Sequence, residues 1–305
     1  MAEDRISEHC LRCIREKQEK NDSLVAPELR DAYREEIEAV IEARSPEDCS
    51  PVLVARLNKV HEKYLGTADI YREIKQKYNR MMLGLSDEIR GIIEQSADPL
   101  SQALVYARAG NFIDFGAMHE VDDDVMAELL TEAPKLVPEP EVYEAFTSQL
   151  ASARRLVYLT DNCGEIVLDK LLIEQIRRQY PALEVTVIVR GGAVINDATM
   201  EDAAAVGLTE LPGVHVIGNG TDIAGTELSR ISPGALSAVR GADLIISKGQ
   251  GNFESLHGCG LNIYYLFLCK CDWFTGNLGL PKLSGVFENE RELVKRWRNG
   301  KFQTA

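Results

Sequence analysis

The sequence predicts an α/β protein: a doubly wound, mostly parallel sheet preceded by a helical domain. Two patterns and a length predict it. Over residues 1–150, apolar side chains recur at spacings of three and four between charged ones, the stripe of amphipathic helices. Over residues 151–305, short β-branched runs alternate with helical stretches, and strand–helix alternation at this spacing builds right-handed βαβ units. A chain of 305 residues exceeds the usual ~100–200 residues of one domain, so two domains are expected, divided near residue 150.

The helical half opens with a stripe of Leu29, Tyr33, Ile37, Val40 and Ile41. Further helices are expected over Val52 to Leu65, Ala68 to Leu83 and Leu100 to Ala109, the last opened by Asp98-Pro99 and stopped at Gly110-Asn111. Between Ala127 and Leu150 the prolines at 134, 138 and 140 impose a short helix, a joint and a second helix. The pattern changes after Arg155. Four apolar runs, Leu156 to Leu159, Val185 to Val189, Val214 to Ile217 and Leu244 to Ile246, have the character of strands buried on both faces. Helices are expected over Glu165 to Tyr180, Asp197 to Val206 and Pro233 to Val239; in the first, Leu168, Leu171, Leu172 and Ile176 make one apolar face.

Composition excludes several classes. With 45% hydrophobic and 27% charged residues the chain can bury a core, and no apolar stretch approaches the ~20 residues of a membrane helix. The start, Met1-Ala2-Glu3-Asp4-Arg5, lacks a basic and then apolar region, so a soluble cytoplasmic protein is expected. A net charge of −14 argues against nucleic acid as a partner. That charge is uneven: residues 1–150 hold 31 acidic and 18 basic side chains, a net −13, while residues 151–305 hold 17 and 16, a net −1. The near-neutral half suits an anionic substrate. Seven cysteines, an odd number, argue against a disulfide scaffold. Cys10-x-x-Cys13 has metal or redox spacing but supplies only two ligands, and Cys269-x-Cys271 completes a set only if the fold joins the chain ends.

Ligands of open α/β sheets bind beyond the carboxyl ends of the strands. The segments following the four runs are Thr160 to Glu165, Arg190 to Thr199, Gly218 to Asp222 and Ser247 to Glu254, all rich in Gly, Asp and Asn, with cations Arg190 and Lys248 in two of them. Asp161, Asn162 and Asp197 form an all-oxygen set suited to a hard divalent ion such as Mg²⁺ or Mn²⁺; each aspartate is equally placed to cap a helix. Lys248-Gly249 with Gly251 and Asn252 resembles a phosphate cradle, although no P-loop, dinucleotide glycine motif or serine-nucleophile elbow is present. In the helical half, Gly110-Asn111-Phe112-Ile113-Asp114-Phe115 either caps a helix or lends Asn111 and Asp114 to a cleft as substrate contacts.

Jointly, Gly110-Asn111-Phe112-Ile113-Asp114, Asp161-Asn162-Cys163-Gly164-Glu165, Asn196-Asp197-Ala198-Thr199 and Lys248-Gly249-Gln250-Gly251-Asn252-Phe253-Glu254 resemble the damage-control phosphatase family, also known as the acidic-residue methyltransferase-like proteins. The Cys10-x-x-Cys13 start is similar to its stand-alone microbial branch. The resemblance implies a three-layer α/β domain with a helical N-terminal part. It implies one divalent metal (Mn²⁺, Ni²⁺, Co²⁺ or Mg²⁺) on Asp161, Asn162 and Asp197, and hydrolysis of phosphate monoesters of small metabolites, sugar phosphates or damaged cofactor precursors. Lys248, Asn252 and Glu254 fall on its phosphate-proximal positions, so the resemblance makes Asp161, Lys248 and Glu254 the catalytic candidates and Asn111, Asp114, Arg190, Gly249 and Asn252 the substrate-binding ones. Cys163 departs from the motif, where Ala is expected. Two other classes stand beside this one: a phosphate-binding module without turnover, and a carboxyl methyltransferase, which the missing glycine motif disfavours.

Overall fold

The computed structural model describes residues 5–66, 71–114 and 123–299. Seven helices come first: α1 (Glu8–Asp22), α2 (Arg30–Glu42), α3 (Ser50–Leu65), α4 (Arg72–Gln95), α5 (Pro99–Gly110), α6 (Asp123–Glu132) and α7 (Pro140–Ser152). Alternation follows: β1 (Arg155–Leu159), α8 (Glu165–Gln179), β2 (Glu184–Val189), α9 (Met200–Ala205), β3 (Val214–Gly218), α10 (Pro233–Gly241) and β4 (Leu244–Lys248). The chain then runs through α11 (Gln250–Leu256), β5 (Ile263–Leu268), α12 (Asp272–Leu278), β6 (Gly285–Asn289) and α13 (Glu290–Asn299).

The four expected strands form within a residue or two of their predicted ends. They share one sheet of order β3-β2-β1-β4-β5-β6, parallel from β3 to β5 with β6 antiparallel at the edge. Strand order reverses between β1 and β4, which opens the ligand crevice between their carboxyl ends. Alternate residues of each strand face opposite layers. Leu156 and Tyr158 join Val187, Ile246 and Leu266 under α4, α5, α7 and α8. Val157 and Leu159 join Ile245 and Phe267 against side chains of α10 to α13, including Val239, Phe253, Phe274 and Leu293. Helices therefore cover both faces, giving three layers.

The change from helices to alternation falls between Ser152 and Arg155, where the sequence places it. The hydrophobic cores divide earlier. Helices α4 to α7 pack on the first face of the sheet, whereas α1 to α3 form their own cluster around Leu11, Tyr33, Ile37, Ile41, Leu53 and Leu57. That small unit docks through α3 on α11 and through Arg5, which donates to the carbonyls of Glu254 and Ser255 at 3.1 Å each.

The helix expected from Asp197 starts at Met200 behind a Thr199 cap, and three further details differ from the sequence reading. The start expected at Ala68 lies outside the described residues, and α4 continues to Gln95 because buried Met82, Ile89 and Ile93 prolong its stripe. Segment Gln250 to Glu254, read as loop, is the start of α11. The all-apolar run Ile263 to Leu268 is a further strand, fully buried between β4 and β6.

Candidate active site

The loops after β1 and β2 are zipped together by main-chain hydrogen bonds. Ala198 N donates to Asp161 O at 2.8 Å, Cys163 N to Asn196 O at 2.8 Å, and Asn162 pairs with Asp197 as an antiparallel bridge. Asn196 reaches across to Ile113 O at 3.0 Å, which ties in the turn after α5. Ile195, a β-branched residue, is held at φ 44° just before this zip. Such strain persists only where surrounding contacts enforce it, and it clusters at functional sites. The zip sets Asp161, Asn162 and Asp197 side by side although 36 positions separate the two aspartates.

Both carboxylates bind one guanidinium. Arg190 Nε donates to Asp197 Oδ2 at 2.6 Å and Nη2 to Asp161 Oδ1 at 3.4 Å, with only 1% of the arginine side chain exposed. Asp161 Oδ2 also accepts from Asn111 Nδ2 (3.1 Å) and Asn162 Nδ2 (2.8 Å). Asn111, the C-terminal residue of the α5 turn, bonds Glu165 through the same nitrogen and accepts from Leu268 N through its oxygen. The motif around Gly110 thus both caps a helix and delivers Asn111 to the site; its last residue, Phe115, lies outside the described residues. Asp114 pairs with Lys270 Nζ at 2.5 Å. Gly249, the residue after β4, has φ +78° and no side chain, and a Cβ there would run into the Asp161 carboxylate. Asp161 therefore lies directly in the crevice between β1 and β4.

Two candidates are placed away from the rim. Lys248 is wholly buried beneath the site, where its ammonium donates to Glu165 Oε1 (2.6 Å), Asp169 Oδ1 (2.5 Å) and Ala107 O (2.8 Å). Its ammonium reaches the rim through Glu165, which accepts from Asn162 N and Nδ2. Glu254 points the other way. Residues 252 and 254 lie ~200° apart around a helix, so with Asn252 turned into the site Glu254 faces Ser50 of α3 and the neighbourhood of Arg5. Asn252 is a brace: its amide donates to Thr160 O and Lys248 O, and its oxygen accepts from Arg190 Nη1 (3.0 Å) and Thr226 Oγ1 (2.8 Å).

The sequence reading missed Lys270, Asp169 and Thr226. Lys270 follows the unmarked strand β5. Asp169 had a signal: it stands four residues after Glu165, on a buried helix face next to Leu168 and Leu172, where a lone carboxylate demands a partner.

The charges do not balance. Among the described residues, five buried carboxylates (Asp114, Asp161, Glu165, Asp169, Asp197) face the buried cations Arg190, Lys248 and Lys270, with Lys17 also attracting Asp114 and the Asp202-paired Lys75 also attracting Asp197, so carboxylates outnumber cations if all ionise. Burial, then Asp197, Glu165 and Asp114, push Asp161 well above the usual carboxylate range. Burial raises Asp197 to about 6 against the pull of Arg190. Asp169 rises to about 7 for the same reason, opposed by Lys248; its second oxygen is buried without a hydrogen-bond partner. Burial works against the Lys248 ammonium, but Asp169 and Glu165 outweigh it and raise its pKa.

The chain ends do meet: His9 of α1 stacks on Trp273 of α12 with 6.1 Å between ring centroids. All seven cysteines are free, and burial pushes the Cys10 thiol up to about 11. Among the described residues no three His, Cys, Asp or Glu side chains converge as metal ligands. At the rim, two carboxylates converge on Arg190 and the third oxygen donor is an amide, Asn162. No helix of the described residues is long and apolar enough to cross a membrane.

Comparison with known proteins places this arrangement. The family described as the damage-control phosphatase ARMT1-like domain matches residues 1–285. A damage-control phosphatase of Archaeoglobus fulgidus is 29% identical over 248 residues, covering 81% of this chain and 84% of the relative. Damage-control phosphatase PH1575 of Pyrococcus horikoshii is 34% identical over 223 residues, covering 72% and 74%. The crystal structure of that P. horikoshii protein, described there as a DUF89 family protein, superposes with a TM-score of 0.78 at 27% identity, covering 93% of this chain and 99% of the other. Fold, loop order and site residues converge on one conclusion: the chain belongs to the damage-control phosphatase ARMT1-like family.

Proposed function

We propose that this protein hydrolyses phosphate monoesters of small metabolites with one divalent cation held by Asp161, Asp197 and the amide oxygen of Asn162. The observation that carries the metal is the excess of buried carboxylates over cations, in a set of carboxylate and amide oxygens that suits one hard dication. The donors fit. Asn162 turns its amide nitrogen onto Asp161 and Glu165, which leaves its carbonyl oxygen as the ligand atom. Gly249 supplies the space that lets Asp161 occupy the crevice. When bound, the cation supplies neutralisation of phosphoryl oxygens and a water acidic enough to attack.

The chain's own groups do the rest. Asn111, Asn162 and Arg190 donate to both Asp161 oxygens, which orients this carboxylate and favours attack by water over attack by Asp161. Lys270, anchored on Asp114 and attracting Asp161, is the cation we assign to a phosphoryl oxygen. Lys248 acts from below, holding Glu165 against Asn111 and Asn162. The relatives' printed names support a damaged metabolite as the substrate class.

The test is phosphate release by the full chain from p-nitrophenyl phosphate and a panel of sugar phosphates and phosphorylated cofactor precursors. Each is run with Mn²⁺, Ni²⁺, Co²⁺ or Mg²⁺ and again in chelator. Turnover is expected only with metal. Full activity in metal-stripped buffer overturns the reading.

A further inference from the structure

A site meant for a cation already contains one. The Arg190 guanidinium is fixed on three sides: Nε on Asp197, Nη2 on Asp161, and Nη1 on Asn252. Asn252 is in turn held by Thr226 Oγ1 and by two main-chain carbonyls. The arginine's own amide is tied to Ala198 O at 2.9 Å. Nothing in this cage lets the side chain leave without breaking buried hydrogen bonds, each costly to orphan.

We propose that Arg190 is the resident counter-ion of the Asp161–Asp197 pair, a positioning residue that keeps both carboxylates converged before the metal arrives and remains beside them afterwards. The inference rests on the metal reading above. Two carboxylates facing each other in a water-poor crevice repel strongly, because their interaction is screened little there. Without a cation the pair would splay or take up a proton. The planar fork of an arginine spans two carboxylates, and its charge persists at any working pH. A lysine in its place would keep the charge but not the three-sided fit.

Persistence has a consequence of definite sign. Arg190 stabilises the metal-free site more than the metal-bound one, where a dication has taken over the neutralisation. By linkage, that difference appears as weakened metal affinity. Arg190 therefore exchanges affinity for a site that is assembled when empty.

Calorimetric titration with Mn²⁺ alone, and thermal unfolding in chelator and in saturating Mn²⁺, test this on the full chain. Arg190→Met and Arg190→Gln, both neutral, are expected to bind Mn²⁺ roughly tenfold more tightly than wild type. Their melting temperatures should fall further in chelator than in Mn²⁺. Arg190→Lys should keep Kd within about threefold of wild type. A neutral variant that folds only with Mn²⁺ also supports the proposal. Equal losses with and without Mn²⁺ mean a packing role and overturn it, as does looser Mn²⁺ binding in the neutral variants. Should Arg190→Met fold under neither condition, the Gln and Lys pair decides by the same criterion. Wild type that neither binds Mn²⁺ nor gains thermal stability from it would instead defeat the metal reading.

Discussion

Asp197 and Asp202 stand five residues apart on the same turn into α9, both buried, and the fold treats them oppositely. Asp202 closes on itself. It accepts from Lys75 at 2.8 Å, from Asn79, and from the Thr199 amide and hydroxyl in a capping box. Burial works against its carboxylate, but Lys75 and Thr199 overrule burial and hold it below the usual range. Asp197 shares Arg190 with Asp161 and feels Lys75 only at a distance, and burial carries it up to about 6. A structural ion pair has its positive charge nearby and its hydrogen bonds complete. On the proposed reading, the rim is short of positive charge because a divalent cation completes it.

The most severe way to break this comparison is to remove each aspartate in turn. Asp197→Asn is expected to weaken Mn²⁺ binding by more than about a hundredfold, beyond the loss typical of an outer-sphere partner, and to abolish turnover with it. Asp202→Ala removes the carboxylate that Lys75, Asn79 and Thr199 bond and should cost about 3–5 kcal/mol of stability, measured by chemical denaturation, while Mn²⁺ affinity stays within a few-fold. Reversed results, with stability lost at 197 and metal lost at 202, would refute the division.

A second substitution sharpens it from the opposite side of the crevice. Gly249→Ala places a methyl group where the Asp161 carboxylate lies, at a φ of +78° that alanine disfavours. Misplacing a ligand by about an ångström costs on the order of a hundredfold in kcat/KM. Unchanged kcat/KM would show that Asp161 does not need its position against β4.

Why some of this was legible in sequence follows from the same residues. Asp161, Asn162 and Asp197 were readable as neighbours because a parallel sheet puts the ends of β1 and β2 on one rim, where ligands of such sheets bind. Arg190 was readable as a rim cation, but not its direction. Position on a rim does not tell whether a long side chain reaches outward or folds under its neighbours. Lys248 shows the same limit, since the last residue of a fully buried strand points at a helix, and α8 happens to offer Glu165 and Asp169. Glu254 was misjudged for a simpler reason: as loop, residues 250 to 254 can all face the crevice, but as helix they cannot. Lys270 was hidden behind an apolar run that carried no turn signal of its own, and its flanking cysteines drew the eye to thiol chemistry.

The mildest effect is expected at Glu254, which tests whether a raised carboxyl outside the rim behaves as structure. Burial pushes it up to about 7, against Ser50 and Arg5. Its folded pKa thus exceeds the unfolded value of roughly 4.3. The native state therefore binds the extra proton between those limits. Stability from this group is fully present below about pH 4 and is lost as pH rises through about 7. Metal-free wild type should consequently melt lower at pH 8 than at pH 5.5. Glu254→Gln removes one contributor to that slope, while Asp169, also raised to about 7, remains. The variant should melt ~2–4 °C above wild type at pH 8. Below about pH 4 the two should be equal, and at pH 5.5 the gap should be smaller than at pH 8, with kcat/KM inside twofold at both of the higher pH values. A large loss of turnover would return Glu254 to the catalytic set and require α11 to present a different face to the crevice.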